Sequence, residues 1–335
     1  MKELCSASGG DCGGTSVDNA FYQIFVKLVG APLLNEMKRE EPEAYLDIFR
    51  EFEAVKRIVY TEKNDKVKMT IPRGTLDQMC KKHLKEDFEA LVQSSPYHDN
   101  MILRYDKMRI DTNLIVDMFK QASERIIELI SDILKKLKGS NLKMIVLVGG
   151  FSGCKIIQES IKSFFPNYRV IVPEDVELAV LKGAVLFGHK PDYIVARIAR
   201  YTYGVEVMNE FNPDLHEPGR CVVVNGKKMC NNIFYIYIKT GSVVEMGAKI
   251  TGKLQTIEPF QSSVPFNIFQ STIESPVYTD VEGCTELVTL TVDIQDPSEE
   301  NRYFRVNMIF GNTELKVTAF DEKSGVECAT VLDLI

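Results

Sequence analysis

Apolar residues recur at helical spacing through the first half of the chain and alternate at strand spacing through much of the second. Phe21, Phe25, Leu28 and Val29 follow Asp18, a pattern that predicts a helix capped by Asp18 and stopped by Gly30. Pro42 opens a second helix with Leu46, Phe49, Phe52, Val55 and Val59 along one stripe. Val67, Met69 and Ile71 alternate as a strand does. Thr75 is placed to cap a third helix running through Met79, Leu84, Phe88 and Leu91. Asp111 heads a long helix carrying Leu114, Met118, Ile126, Ile130, Ile133 and Leu137, ended by Gly139.

A strand–helix–strand unit comes next. Residues 144–148 are a continuous apolar run, as expected of a strand buried on both faces. Gly149-Gly150 turns the chain into a helix with Ile156, Ile157 and Ile161; residues 169–172 are the next strand and 176–188 the next helix. Beyond Gly188 the rhythm changes. Residues 233–238, 287–294, 303–309, 315–320 and 329–334 alternate, and Asn225-Gly226 between apolar-rich flanks marks a two-residue hairpin. The pattern predicts an α/β region over 1–190, a linker over 191–202 and an all-β sandwich over 203–335.

At 335 residues the chain has room for about two domains, each with its own core. Its net charge of -7 argues against a nucleic-acid partner, which wants a basic face. Lys81-Lys82 and Lys135-Lys136 lie inside helical patterns and read as solvated faces. No apolar run approaches the roughly 20 residues of a membrane span. The start, Met-Lys-Glu-Leu-Cys-Ser, lacks the apolar core of a signal peptide, so a cytoplasmic chain is expected. The eight cysteines are dispersed without a Cys-x-x-Cys pair, so no zinc site is expected and the thiols read as reduced.

Three segments carry candidate chemistry. Leu-Val-Gly-Gly-Phe-Ser at 147–152 places two glycines between a strand and a helix, where a ligand can approach the backbone at a helix N-terminus; the same pair also simply makes a turn. Glu53, Lys56 and Arg57 share a helix face; they could serve a nucleoside, or form a surface ion cluster. Cys-Gly-Gly-Thr-Ser-Val-Asp-Asn at 12–19 brings a second glycine pair before a helix.

Together these segments resemble the 70-kDa heat-shock family. Residues 12–19 are similar to its Leu-Gly-Gly-Glu-Asp-Phe-Asp-Asn, and 52–57 resemble the Glu-x-x-Lys-Arg helix that clamps adenosine. Residues 147–152 followed by Val-Pro-Glu-Asp-Val-x-x-Ala-x-x-x-Gly-Ala at 172–184 resemble the last adenosine-side elements of the actin-like ATPase fold. Thr-Glu-Leu-Lys-Val-Thr-Ala-Phe-Asp-Glu-Lys-Ser-Gly, from Thr313, resembles the closing strands of the substrate-binding sandwich. Leu181–Gly188 in the form Leu-Lys-Gly-Ala-Val-Leu-Phe-Gly, and Tyr203-Gly204-Val205, fit the atypical 12A/12B branch.

The resemblance implies an incomplete actin-like ATPase lobe over 1–190, with about 16–110 as its peripheral subdomain, followed by a β-sandwich without a helical lid. ATP or ADP would be held weakly, on its adenosine side. The residues implied are Gly13, Gly14, Glu53, Lys56, Arg57, Tyr60, Gly149, Gly150, Phe151, Ser152 and, by two possible registers, Asp175 or Glu177. The family's phosphate loops, catalytic lysine and metal-organising aspartates would precede residue 1. No catalytic or metal-binding residue is therefore assigned, Mg²⁺ is not expected to be held by this chain alone, and no ATP hydrolysis is expected of it.

The chain also departs from the family pattern. Phe151-Ser152-Gly153 stands where Ser-Thr-Arg is usual, which removes the adenine-stacking arginine and leaves Phe151 as its aromatic substitute. Tyr60 replaces a small hydroxyl residue, and Ile-Val-Ala-Arg-Ile-Ala-Arg at 194–200 replaces a leucine-rich acidic linker. For the second domain the resemblance implies client polypeptides. Phe234, Ile236 and Ile238 would form one face of a strand, with Phe266 and Ile268 facing them; the plainer reading is a strand buried on both sides. Two functions follow: a chaperone-like stress-response protein binding nucleotide and extended peptide, or a non-enzymatic adaptor acting through partner proteins. A small-molecule kinase of the actin-like superfamily fits worse, because its second domain would not be a sandwich.

Overall fold

Helix α1 (Gly14–Val29) starts four residues before Asp18, with Gly13 as its N-cap, so Asp18 lies inside the second turn and caps nothing. Val17, Phe21, Ile24, Phe25, Leu28 and Val29 are buried, and Gly30 ends the helix at φ 82°. A helix that sequence periodicity did not show, α2 (Ala31–Glu40), follows at once, before α3 (Pro42–Ile58) with Pro42 in its first turn. On α3 the buried positions are Ile48, Phe52, Val55 and Lys56; Leu46, expected on the stripe, is exposed.

The computed structural model describes residues 1–60, 66–311 and 314–333, apart from the side chain of Asp192. They form two units, one of Ser8–Leu186 and one of Met1–Ala7 with Phe187–Ile335. Thr313 and Leu334, at the ends of segments read from the sequence, lie outside the described residues.

In the first of these units, β1 (Lys66–Thr70) joins the hairpin β2 (Met101–Arg104) and β3 (Lys107–Asp111) in a sheet of order β1-β3-β2. The single helix expected from Thr75 is two helices, α4 (Arg73–Leu84) and α5 (Phe88–Ser94). Lys85 sits between them at φ 65°, and Asp87 caps α5 by accepting from the Ala90 amide. Asp111 does cap the long helix α6 (Thr112–Lys136), accepting from the Asn113 amide at 2.8 Å. Beyond it β4 (Met144–Val146) and β5 (Arg169–Ile171) pair in parallel, with α7 (Lys155–Phe164) between them and α8 (Ala179–His189) after them. The double burial expected for 144–148 is not found: Met144, Val146 and Val148 are each about half exposed, because among the described residues the sheet here has two strands. One core runs through this unit, from Phe21, Phe25 and Phe52 to Phe119, Ile156 and Ile161.

The second unit is antiparallel β. The stretch read as a linker carries β6 (Ala196–Ile198), which pairs with β10 (Val243–Glu245) and is bridged by Lys2. Its larger sheet has the order β13-β12-β7-β9-β8. These strands are β7 (Thr202–Glu210), β8 (Cys221–Val224), β9 (Lys227–Ile238), β12 (Ser263–Ser271) and β13 (Cys284–Asp293). The other has the order β11-β14-β15-β16. It comprises β11 (Lys249–Gln255), β14 (Tyr303–Phe310), β15 (Glu314–Asp321) and β16 (Glu327–Asp333). Asn225 (φ 49°) and Gly226 (φ 75°) make the β8–β9 turn in the left-handed conformation such hairpins need. Inner residues of both sheets share one core: Val205, Val264, Phe266, Ile268 and Val292 meet Phe304, Val306, Met308, Leu315 and Val317. The chain is therefore mixed α/β with several antiparallel sheets.

Candidate functional site

Lys56 organises the site. Its side chain is 4% exposed, and its Nζ donates to Asp18 Oδ1 at 2.7 Å, to Glu53 Oε2 at 2.5 Å and, more loosely, to the Gly14 carbonyl at 3.5 Å. Gly14 packs closely here: a Cβ there would stand 3.3 Å from Lys56 Nζ and 3.4 Å from the Phe151 ring, so those side chains would have to give way slightly. The Phe151 ring is in turn stacked near Phe119, with centroids 6.0 Å apart. Arg57 continues the network, with Nε 3.0 Å from Glu53 Oε1 and one terminal nitrogen 2.5 Å from Glu177 Oε1. Gly13–Gly14, the α3 triad, Phe151 and Glu177 are thus brought together from four separate stretches of chain.

Burial alone would lower the Lys56 ammonium, but the bonds from Asp18 and Glu53 outweigh it and hold its pKa above the ordinary lysine value. Burial would likewise raise Glu53; Lys56 and Arg57 win and hold it low. The group is charged and closed on itself, with three carboxylates (Asp18, Glu53, Glu177) against two cations (Lys56, Arg57). Cys154 lies near by in the core, and burial pushes its thiol up to about 11, which leaves it unreactive.

Two glycines are open. A Cβ at Gly13 or Gly150 meets no atom within 4 Å, so both leave backbone accessible. Gly149, at φ 90°, makes the turn itself, and its amide donates to the Val176 carbonyl at 2.9 Å. A 3-10 turn, Gly150–Gly153, follows it, and the Ser152 hydroxyl is spent on the Val148 carbonyl at 2.9 Å. Tyr60 is 39% exposed and makes no contact with the network among the described hydrogen bonds. Of the two acids, Glu177 joins Arg57, whereas Asp175 pairs locally with Lys182.

Asp18 is the member that sequence reasoning misplaced. It lies 38 residues from Lys56, so no local pattern could pair them. Gly13 and Gly150 each leave open space over the backbone, the Lys56 donors are used internally, and the three carboxylates and two cations sum to one negative charge.

The five residues expected to line a peptide groove do not share one face. Phe266, Ile268 and Ile238 lie in the core between the sheets. Phe234 turns to the opposite face, over Gly204 and beside Phe269 (ring centroids 6.4 Å). A register shift between Tyr203 and Gly204 opposite β9 is the cause: it breaks the alternation that would have kept Phe234, Ile236 and Ile238 on one side. Ile236 pairs with Gly204 and is half-buried. Residues 277–279 cover this edge, the Phe234 amide donating to Val277 and that of Thr279 to Asn232.

A mixed α/β unit holding an ion-paired lysine beside two glycine turns, joined to a unit of antiparallel sheets, defines the class. Within it, the chain is a homologue of the 12A and 12B members of the 70-kDa heat-shock family. It is 29% identical to human heat shock 70 kDa protein 12A over 326 residues, 96% of this chain and 48% of that protein. Against human heat shock 70 kDa protein 12B it is 28% identical over 346 residues, all of this chain and 50% of the relative. A more distant likeness, 25% over 215 residues, links 62% of the chain to 32% of the chaperone protein DnaK of Mycoplasmoides gallisepticum. The family read from residues 12–19, 52–57 and 147–152 is thereby borne out. The chain spans about half the length of the curated 12A and 12B relatives it matches. It matches no family model. Among the described residues no helix is long and apolar enough to cross a membrane.

Proposed function

We propose that the chain is a chaperone-like protein of the 70-kDa heat-shock type, working in the cytoplasm. In this reading residues 8–186 form a lobe of the actin-like ATPase fold that binds ATP or ADP weakly through the adenosine part. Residues 203–335 form a β-sandwich that takes extended polypeptide. The observation that carries it is the convergence of Gly13, Gly14, Glu53, Lys56, Arg57, Phe151 and Glu177 on one site. Adenine would lie against Phe151 and the open Gly150 turn, with Glu53 accepting from a ribose hydroxyl. Likeness to the family supports polypeptide binding, and of the expected set Ile236 keeps accessible surface.

Calorimetry with adenosine, ADP and ATP tests the nucleotide half. One lobe supplies only part of the usual contacts, so the Kd should be no tighter than roughly 0.1 mM, about -5.5 kcal/mol. Affinity should depend little on phosphate number, because the network offers phosphates no free cation; a strong gain from the γ-phosphate would contradict the reading. Gly150→Val should abolish binding while leaving the melting temperature unchanged, since its side chain enters open space.

A second reading, a non-enzymatic adaptor, is favoured by the internal saturation of Lys56 and by the core positions of Phe266, Ile268 and Ile238. No heat with any nucleotide, together with no NMR shifts around Ile236 at millimolar Leu-rich heptapeptide, would select it.

A further inference from the structure

Cys221 and Cys230 face each other across the β8–β9 hairpin, as direct register partners. Counting out from the Asn225-Gly226 turn, Val224 and Lys227 flank it as a hydrogen-bonded pair. Pair types then alternate, so Val223 with Lys228 is non-hydrogen-bonded, Val222 with Met229 hydrogen-bonded, and Cys221 with Cys230 non-hydrogen-bonded again. At such positions both side chains rise on one face with Cα atoms about 4.5 Å apart, inside the range of roughly 4.4–6.8 Å that a disulfide spans. No other two cysteines occupy facing positions in the described strand pairings. Both thiols are free in this structure.

We propose that Cys221 and Cys230 form a reversible cross-strand disulfide, a thiol oxidation site that fastens residues 277–280 along the edge of β9. Cys221 is half-buried and Cys230 fully buried, so the oxidant reaches Cys221 first. With a peroxide, the Cys221 thiolate takes one peroxide oxygen to become a sulfenic acid, releasing hydroxide. The Cys230 thiol then attacks that sulfur, the S–S bond forms and the hydroxyl leaves, accepting the Cys230 proton to become water. Two thiols are oxidised, one peroxide is reduced, and two waters result overall.

The consequence lies in the residues next to the pair. Arg220 stacks on Tyr278, 3.8 Å from the ring centroid, and holds Asp280 by two bonds of 2.8 Å. Asn232, two residues past Cys230, donates to the same Asp280 at 3.0 Å. Both feet of the hairpin therefore grip the segment that pairs with β9 beside Phe234, and a disulfide ties the feet together.

The test is peptide mapping of the full chain after brief peroxide treatment of the folded protein. Trypsin releases 221–227 and 229–239 as separate peptides from the reduced chain. Oxidation should join these two with loss of two hydrogens, as the dominant linked pair, reversible by dithiothreitol. Cys221→Ser should remove the product entirely while the protein still folds, because the position is only half-buried. In the oxidised chain the Phe234 and Thr279 amides should exchange hydrogen more slowly. Both cysteines remaining open to alkylation after treatment, or a link from Cys230 to Cys284 dominating instead, would overturn the site. A disulfide that leaves those exchange rates unchanged would overturn the fastening.

Discussion

Asp321→Ala should lower the stability of the β unit by about 3–5 kcal/mol, toward the lower end of that range. The carboxylate is fully buried and receives Arg302 Nε at 2.8 Å and a terminal guanidinium nitrogen at 2.6 Å, while Arg302 itself is 4% exposed. The Ser324 hydroxyl adds a bond at 2.6 Å and the Lys323 amide one at 2.9 Å. Removing the acid strands a buried guanidinium. Asp296, 2.8 Å from the other terminal nitrogen, keeps part of its charge compensated, hence the lower end. Replacing both partners, Asp321→Leu with Arg302→Met, should recover much of the loss, because two apolar side chains leave no unpaired charge. Urea denaturation of the two single variants and the double variant measures it. A double variant as unstable as Asp321→Ala would mean that packing, and not the stranded charge, sets the effect.

The same pair gives a pH dependence whose sign is fixed. Burial by itself would raise the Asp321 carboxyl, but Arg302, Ser324 and the amides of Lys323 and Ser324 outweigh it and hold it well below the ordinary carboxylate range. A carboxyl depressed in the folded state stabilises above its unfolded pKa, about 3.9, and that contribution is lost as pH falls below it toward the folded value. Wild-type urea midpoints should therefore drop between pH 5 and pH 3 more steeply than those of Asp321→Asn.

Local signals were legible where a single residue decides the geometry. Asn225-Gly226 makes its turn, Asp111 its cap and Gly30 its stop, because each acts on neighbouring backbone and needs nothing distant. Where tertiary contact competes, the sequence misled. Asp18 satisfies the pattern of a cap, yet Gly13 already opens the helix and Lys56 claims the carboxylate. Leu84 and Phe88 share a helical stripe, but Lys85 at φ 65° breaks the helix between them. The candidate site was largely readable because its glycines and its Glu-x-x-Lys-Arg helix are motifs whose spacing is set by the chain. The peptide face was not. An alternating strand names two faces but not which one is core, and one register shift reassigns every residue beyond it.

Gly204 sits at that register shift, and Gly204→Ala should cost about 3 kcal/mol or more, the upper range for overpacking. A methyl there would lie 2.8 Å from Phe234 Cδ1 and nearer still to Phe234 Cε1 and the Tyr235 carbonyl oxygen. The ring cannot simply swing aside, because it is buried and packs edge-on against Phe269. The carbonyl is backbone in the middle of β9, and moving it would pull on the pairing of β7 with β9. Gly204 thus holds its place through the close passage of two strands and a ring; its backbone is not in the left-handed region. That distinction makes the prediction specific. Phe234→Ala should destabilise on its own by leaving a cavity, typically about 3–5 kcal/mol for a buried phenylalanine. The double variant Gly204→Ala with Phe234→Ala should then be less unstable than the two single costs added, because the added methyl fills part of the space the ring vacates. Thermal melts of the three variants decide it. Strict additivity would place the whole cost on the Tyr235 carbonyl and remove the ring from the account.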